Sequence, residues 1–490
     1  MPRVTDRCRR RDLALLAAAS FVLRLPALLS SRWYDPDEAA IAVQGATLTR
    51  GGRLYVDMAD RKPPIPPYLV ELWHWISGAF DPRGPRLIVS AMLAVAAVAV
   101  AVEVARTHGR RVALWTAWLY VTASFALVPA DGGAANYAHV ALPLATLALL
   151  AIRRGGPAQA GGGLLLGLAI LSRQSWVFAV PAAVGGAWLQ SRWRGAARVA
   201  VGVAAGVAGA ALLAPWSDYW FWNFTSSTGF VFAGTSVGGA LLTAIGSTAL
   251  FCALHLVAVG ALGRLAATRV AAGVRSFRED ADLWAWLLTG LAATAAGFRF
   301  YGHYWLQVVP PLVLLTGPVV AGWAPRWRTV AAGLVGATAA FALAAQVVPG
   351  VFRERPSPTA VARRIDECTT ATGSVFIWGS YPELAMAVDR PIAGTLVHSD
   401  FVTGRSGGRQ AATDAATPGA RERMMDDLLA DPPAVLVDTA GVTDLGYGAF
   451  PLPDDPDLGP YAAAGYEPEQ FDGFVLWWAA GTPCAATTGQ

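Results

Sequence analysis

Long apolar stretches fill most of the first 350 residues, and short polar clusters separate them. A helix needs about 20 mostly apolar residues to cross a bilayer's hydrocarbon core. Segments of this kind lie near 13–30, 85–105, 112–130, 137–152, 161–173, 175–190, 197–215, 237–262, 282–298, 304–322 and 329–348. The pattern predicts a polytopic α-helical membrane protein with about eleven transmembrane helices. Basic residues flank 161–190 on both sides, which requires an even number of crossings there. Two short helices meeting near Ser172-Arg173-Gln174 satisfy this. The first stretch, Leu13–Leu29, follows Arg7, Arg9, Arg10 and Arg11 and has the outline of a signal peptide. No small-residue cleavage site follows it, so it reads as a retained anchor.

Two regions break the pattern. The polar interval 31–86 is long, rich in proline and aromatics. Within it Glu38–Thr49 carries Ala39, Ala42, Val43 and Ala46 at helical spacing, with Asp35 or Asp37 placed to cap it. Tyr68–Ser77 repeats the pattern with Leu69, Leu72, Trp73 and Ile76, and both read as amphipathic helices lying along the membrane surface. Past Gly350 short apolar runs alternate with helical ones. Helices are expected at Ser357–Cys368, Pro382–Val388 and Met424–Ala430, and strands at Ser374–Trp378, Ala434–Asp438 and Gly473–Trp478. This describes a small C-terminal α/β domain, 350–490, after a membrane module, 1–349. The stretch Gly404–Gly419 reads as a mobile loop.

Composition agrees, with 54% hydrophobic and 15% charged residues. Basic clusters at 3–11, 106–111, 153–154, 192–198, 264–278 and 326–328 all fall on one side if the crossings alternate. That side is the cytoplasm by the positive-inside rule. The expected location is the plasma membrane, with a cytoplasmic N-terminus and an extracytoplasmic C-terminal domain. Residues 351–490 hold 19 Asp and Glu against nine Arg, a net of −10, so the first 350 carry +14. The basic balance thus reports membrane orientation, and no basic tract with interleaved aromatics suggests nucleic-acid binding. Cys368 and Cys484 sit near the two ends of the C-terminal domain and are a disulfide candidate outside the cell, with two free thiols as the alternative. The aromatic run from Trp216 to Phe224 fits an interfacial belt by default and a lipid-substrate groove as the sharper reading.

The chemistry concentrates in the first loop. Asp35-Pro36-Asp37-Glu38 is followed by Asp60-Arg61-Lys62-Pro63-Pro64, and Lys62 is the only lysine in 490 residues. In a chain that otherwise uses arginine, one compact ammonium beside a rigid Pro-Pro points to a need for a point charge. An acid facing such cations at a membrane's outer face suits attack by a hydroxyl on a sugar whose leaving group is a lipid phosphate. The acid takes the acceptor proton and the cations meet the charge on the leaving group. Asp37 or its neighbour Asp35 is the candidate base, with helix capping as the plainer role for Asp37. Asp60 is placed to orient Lys62, whose plainer role is interfacial snorkelling. Arg173 lies deep in an apolar segment, where a charge is costly and usually functional. Arg299, Tyr301 and His303 cluster at an outer helix end and are further phosphate-binding candidates, and Asn136, Tyr137 and His139 face the same side. No ligand spacing marks a metal site. Asp37 and Glu38 could share a divalent ion with substrate oxygens, although the chemistry requires no cofactor.

Several motifs together resemble a known superfamily. They are Tyr34-Asp35-Pro36-Asp37-Glu38-Ala39, Gly52-Arg53-Leu54-Tyr55-Val56-Asp57, Asp60-Arg61-Lys62-Pro63-Pro64, Gly167-Leu168-Ala169-Ile170-Leu171-Ser172-Arg173, the Tyr301–Pro311 segment and Val375–Glu383. They resemble the GT-C glycosyltransferases of family 39 type: protein O-mannosyltransferases, lipid A aminoarabinose transferases and Rgt-type bacterial enzymes. The resemblance covers most of 10–320 and implies a GT-C fold and an inverting transfer. The donor would be a polyprenyl-phosphate-linked sugar and the acceptor a hydroxyl on a cell-envelope glycan, lipid or protein. It implies Asp37 as the catalytic acidic residue, acting as general base, with Glu38 beside it, and Lys62 near the lipid phosphate. Arg173 departs from the family, which commonly has lysine there. The rival from another class is a transporter or flippase for a lipid-linked or anionic substrate, which would hold its charges near the bilayer midplane. A non-catalytic scaffold is the third reading.

Overall fold

The computed structural model describes residues 8–125, 132–227, 236–348, 355–388, 390–405 and 415–484. Among them, five helices are long and apolar enough to cross a membrane: Arg83–His108, Gln174–Leu213, Val237–Leu254, Gly302–Ala321 and Pro325–Val347. The other predicted spans are also helical, but shorter, interrupted or less apolar. They are Arg10–Val22 continued by Leu25–Leu29, Arg110–Ala123, Tyr137–Arg154, Ala158–Ile170 and Ala281–Ala295, whereas the single span predicted at 237–262 divides at His255 into Val237–Leu254 and Leu256–Ala272. The expected break at residue 173 is present: Arg173 has extended backbone between Ala158–Ile170 and the short turn Gln174–Ala179. A second break, at Ser191 and Arg192, divides the long Val180–Ala208 element.

Glycine sets how closely two of these helices approach. A Cβ on Gly167 would stand 2.8 Å from the Gly206 Cα, and one on Gly202 would stand 2.8 Å from the Leu164 nitrogen. Ala158–Ile170 and the second half of Val180–Ala208 therefore meet backbone to backbone, the small-residue packing that lipid favours. The opposite extreme is Val237–Leu254, where Leu241, Leu242 and Ile245 are all more than half exposed and face the apolar surroundings.

The C-terminal region forms a four-stranded sheet in the order β1-β2-β4-β3. β1 (Val375–Trp378) runs parallel to β2 (Val435–Asp438), and β4 (Phe474–Ala479) is antiparallel to β2 and to β3 (Tyr466–Phe471). Asp472 and Gly473, both with positive φ, make the β3–β4 turn, as a two-residue hairpin of matching twist requires. Helices Thr359–Cys368, Pro382–Ala387 and Ala420–Ala430 pack on this sheet. The strand β3 is not among the expected strands: Glu467, Pro468 and Glu469 give an edge strand no hydrophobic alternation. Cys368 and Cys484 are disulfide-bonded, with Cα atoms 5.4 Å apart. Most of the loop predicted at Gly404–Gly419 lies outside the described residues.

One sequence expectation fails here. The first-loop helix, Pro36–Thr49, does not lie along the membrane surface; Glu38 to Ala46 and Leu48 are buried. Its residues are small on every side, so neighbours close over all of it, and a Cβ on Gly45 would stand 2.7 Å from Val70. The second helix, Ile65–Ser77, keeps the predicted character, burying Val70 while exposing Leu72, Trp75 and Ile76. The aromatic run divides: Trp216 and Trp220 are about half exposed, whereas Tyr219 and Trp222 are buried. The two buried rings join a core shared by the first loop (Leu54, Tyr55, Met58, Ala59) and the C-terminal domain (Phe376, Trp378, Phe401, Met424).

Candidate active site

The site is built at the N-terminus of the buried helix. Asp35 is its N-cap, accepting the Asp37 N–H at 2.9 Å, and Pro36 opens the first turn. The helix turns consecutive carboxylates in different directions. Asp37 forms an ion pair with Lys62, and the two side chains remain 25% and 30% exposed. Glu38 points into protein. Arg86 donates to both its oxygens, at 2.8 and 2.6 Å, while the Ala135 and Tyr34 N–H groups add further bonds. Arg86 spends its remaining donors on the carbonyls of Ala27, Ser30 and Arg32. Glu38 is thus placed with a structural clamp and away from Lys62. Asp35 keeps to capping and accepts from Asn136 at 3.2 Å.

Lys62 is held by its backbone from several sides. The buried Tyr55 hydroxyl donates to the Lys62 carbonyl at 2.8 Å, and Gln174 donates to the Arg61 carbonyl at 2.9 Å. The Ile65 N–H bonds the Leu171 carbonyl at 3.1 Å, tying the loop to the helix end that precedes Arg173. Tyr55 has positive φ inside the Gly52–Asp57 turn, which is how that motif drives the ring inward. The Lys62 ammonium also lies 4.9 Å from the centre of the Tyr137 ring. Asp60 does not bond the ammonium: it accepts from the Arg61 N–H, Gln44 and the Tyr137 hydroxyl, at 2.7, 3.0 and 3.1 Å. It acts on Lys62 through its charge.

Electrostatics bind the cluster together. Burial alone would raise the Asp37 carboxyl, but Lys62, then His303 and Arg173, outweigh it and hold Asp37 below the ordinary carboxylate value. Burial likewise acts to lower Lys62, and the charges of Asp37, Asp60 and Asp35 more than reverse it, leaving the ammonium more basic than usual. Arg61 is pushed down to about 10, mainly by burial, with Arg299 acting in the same direction. Arg173 is nearly buried, with its guanidinium 4.3 Å from the Tyr304 ring centre and its Nε donating to Ser175. Tyr304 in turn contacts Tyr301 and His303, at 5.4 and 5.0 Å between ring centres. Arg299 is buried, and its neighbours in sequence, Phe298 and Phe300, both have positive φ. His139 is buried against Asn136.

Asp37 and Lys62 thus stand in contact, with the charges of His303 and Arg173 acting on Asp37 and those of Asp60 and Asp35 on Lys62. Tyr301 stacks beside His303, and Arg299 acts on Arg61. Sequence reading gives no role to Tyr55, Arg61 and Arg86. Arg86 carries a signal of its own, a charge at the edge of a predicted span. Among the described residues no group of three or more His, Cys, Asp or Glu side chains could hold a metal ion. Asp37 and Glu38, the pair considered for one, each already face a cation.

Among solved structures, the chain is similar in fold to ArnT from Cupriavidus metallidurans in the apo state. The TM-score is 0.61 at 16% identity, over 95% of this chain and 97% of that one. The same protein bound to undecaprenyl phosphate gives 0.62 at 14% identity, with the same coverage. The archaeal oligosaccharyltransferase AglB from Archaeoglobus fulgidus, in complex with an inhibitory peptide and a dolichol-phosphate, gives 0.52 at 13% identity over 96% and 74% of the two chains. No protein-family model matches the sequence, and no curated protein matches it. These likenesses show the fold that the chain shares with those proteins: membrane-length helices followed by a small C-terminal sheet domain.

Proposed function

We propose that this protein is an inverting glycosyltransferase that moves a sugar from a polyprenyl-phosphate donor to a hydroxyl acceptor. The observation that carries the reading is the ion pair between Asp37 and the only lysine, with the charges of His303 and Arg173 also acting on Asp37. The fold neighbours support it, one being bound to undecaprenyl phosphate and another to a dolichol-phosphate. In the resting site the ammonium neutralises the carboxylate. When a phosphate arrives, Lys62 turns to it, joined by Arg173 and, from the next ring of residues, His303, Tyr301 and Arg299. Asp37 is then free to accept the acceptor O–H.

The acceptor oxygen attacks the anomeric carbon as its proton passes to Asp37. The bond from that carbon to the phosphate oxygen breaks, and the electron pair leaves with the polyprenyl phosphate, whose charge the cations meet. Asp35 and Asp60 hold the two reacting side chains in register. The membrane module, 1–349, carries the chemistry, and 350–490 covers it on the outer face, with the N-terminus in the cytoplasm. The acceptor is a glycan, lipid or protein of the cell envelope.

Purified protein incubated with a panel of radiolabelled polyprenyl-phosphate sugars tests this reading. Slow hydrolysis of one donor, abolished by Asp37→Asn and by Lys62→Ala, is the expected result. Consumption of no donor, or hydrolysis that survives both substitutions, overturns it.

A further inference from the structure

The strand leading into Lys62 is fastened to the C-terminal domain at three successive points. The Val56 carbonyl accepts from Arg423, which also donates to the Thr395 hydroxyl at 2.5 Å and lies over the Trp222 ring. Ala59 forms a two-way bridge, its N–H bonding the Thr395 carbonyl at 2.7 Å and its carbonyl accepting from the Val397 N–H at 3.2 Å. Arg61 then lies over the Phe401 ring at 4.6 Å and donates to the Thr417 hydroxyl at 2.7 Å and the Ala415 carbonyl at 3.4 Å. Phe401 is fully buried, stacked by His398 at 4.5 Å and met by Trp222 at 5.3 Å.

Arg61 is itself 6% exposed, too enclosed to reach a substrate. Burying a cation is costly unless it is paired or stacked, so Arg61 is anchored where its partners stand. The next three residues of the chain are stiff. Pro63 and Pro64 have fixed φ, and Lys62, preceding proline, is confined to extended backbone. Arg61 and Lys62 are joined by one planar peptide, held at the Arg61 carbonyl by Gln174, and Tyr55 holds the Lys62 carbonyl beyond it, so a displacement at Arg61 is passed on to Lys62.

We propose that the C-terminal domain is a working part of the active site, and that Arg61, clamped by Phe401 and Thr417, is a positioning residue that sets where the Lys62 ammonium stands relative to Asp37. This rests on the transferase reading for its catalytic meaning, but its structural content is separately measurable. Because Lys62 is the only lysine, full-length protein grown with lysine labelled at Cε and Nζ gives one side-chain signal by nuclear magnetic resonance. Thr417→Val removes the hydroxyl with little change of shape, and Phe401→Leu removes the aromatic face. Phe401→Tyr is the conservative replacement, and Arg364→Gln, on the distant Arg364–Glu469 pair, is the control.

Thr417→Val and Phe401→Leu are expected to shift the Lys62 signal and to lower kcat for donor hydrolysis about tenfold to a hundredfold with donor KM nearly unchanged. Phe401→Tyr should restore both readouts and Arg364→Gln should alter neither. An unmoved Lys62 signal in both folded variants refutes the positioning role, whatever the activity. A moved signal in a protein that consumes no donor would uphold it while removing the transferase reading.

Discussion

Asp37 and Glu38 are consecutive residues of one helix, each paired with a cation, yet they inhabit opposite surroundings. The Asp37–Lys62 pair is about a quarter exposed. The Glu38–Arg86 pair is 1–2% exposed, and its donors and acceptors are taken up by protein. The difference teaches how to tell a working ion pair from a structural one. Chemistry needs a pair that can exchange partners with a substrate, and stability needs one that cannot. The acidic motif supplies both from adjacent positions because successive helical residues diverge by about a third of a turn.

The contrast is most directly broken at Asp37. Asp37→Asn should lower kcat by about a thousandfold, the loss expected of a general base, with a fall in unfolding temperature smaller than that of Glu38→Gln. Glu38→Gln should do the reverse, since it leaves the Arg86 charge buried and uncompensated. A loss of about 3–5 kcal/mol in stability is expected, read by thermal unfolding in detergent, with kcat per folded molecule retained. If Glu38→Gln instead unfolds nothing and abolishes turnover, the two roles are reversed.

The pH dependence sharpens the comparison further. Asp37 is held below its ordinary value, so it stays ionised, and contributes stability, until the pH falls through that lowered value. Wild-type donor hydrolysis should therefore persist on the acid side. Lys62→Met removes the largest lowering influence and leaves burial, so the Asp37 carboxyl should titrate at higher pH than in wild type, as read by nuclear magnetic resonance of the folded variant labelled at its aspartate carboxyls. The smallest effect belongs to Asp35. Asp35→Ala loses an N-cap, costing about 1 kcal/mol, and should leave kcat within a few-fold, measured by unfolding and turnover on one sample.

Much of this arrangement is legible in the chain. The apolar periodicity locates the helices, and the lone lysine beside Pro-Pro singles out the loop. Three of the four strands can be read from short β-branched and aromatic runs. The cysteine pair is a candidate because both residues fall in one domain. The features that cannot be read depend on contacts between residues far apart. The motif helix reads as a membrane-surface helix because alternating apolar positions look alike whether a helix meets lipid or other protein. Only the apposition of Val70 at Gly45 and the shared core with the C-terminal domain decide it. Arg61 and Arg86 do not stand out in the sequence because an arginine's task is set by its partners, here Phe401, Thr417 and Glu38.

The glycine seam between Ala158–Ile170 and Val180–Ala208 reaches beyond packing. With no side chains to cushion the contact, the two helices behave as one stiff mast, and Arg173 is mounted just above its top. Any residue larger than glycine at 163, 167, 202 or 206 would wedge the mast apart and tilt that guanidinium without touching it. Variation at these unremarkable positions can thus reach Arg173 from a distance.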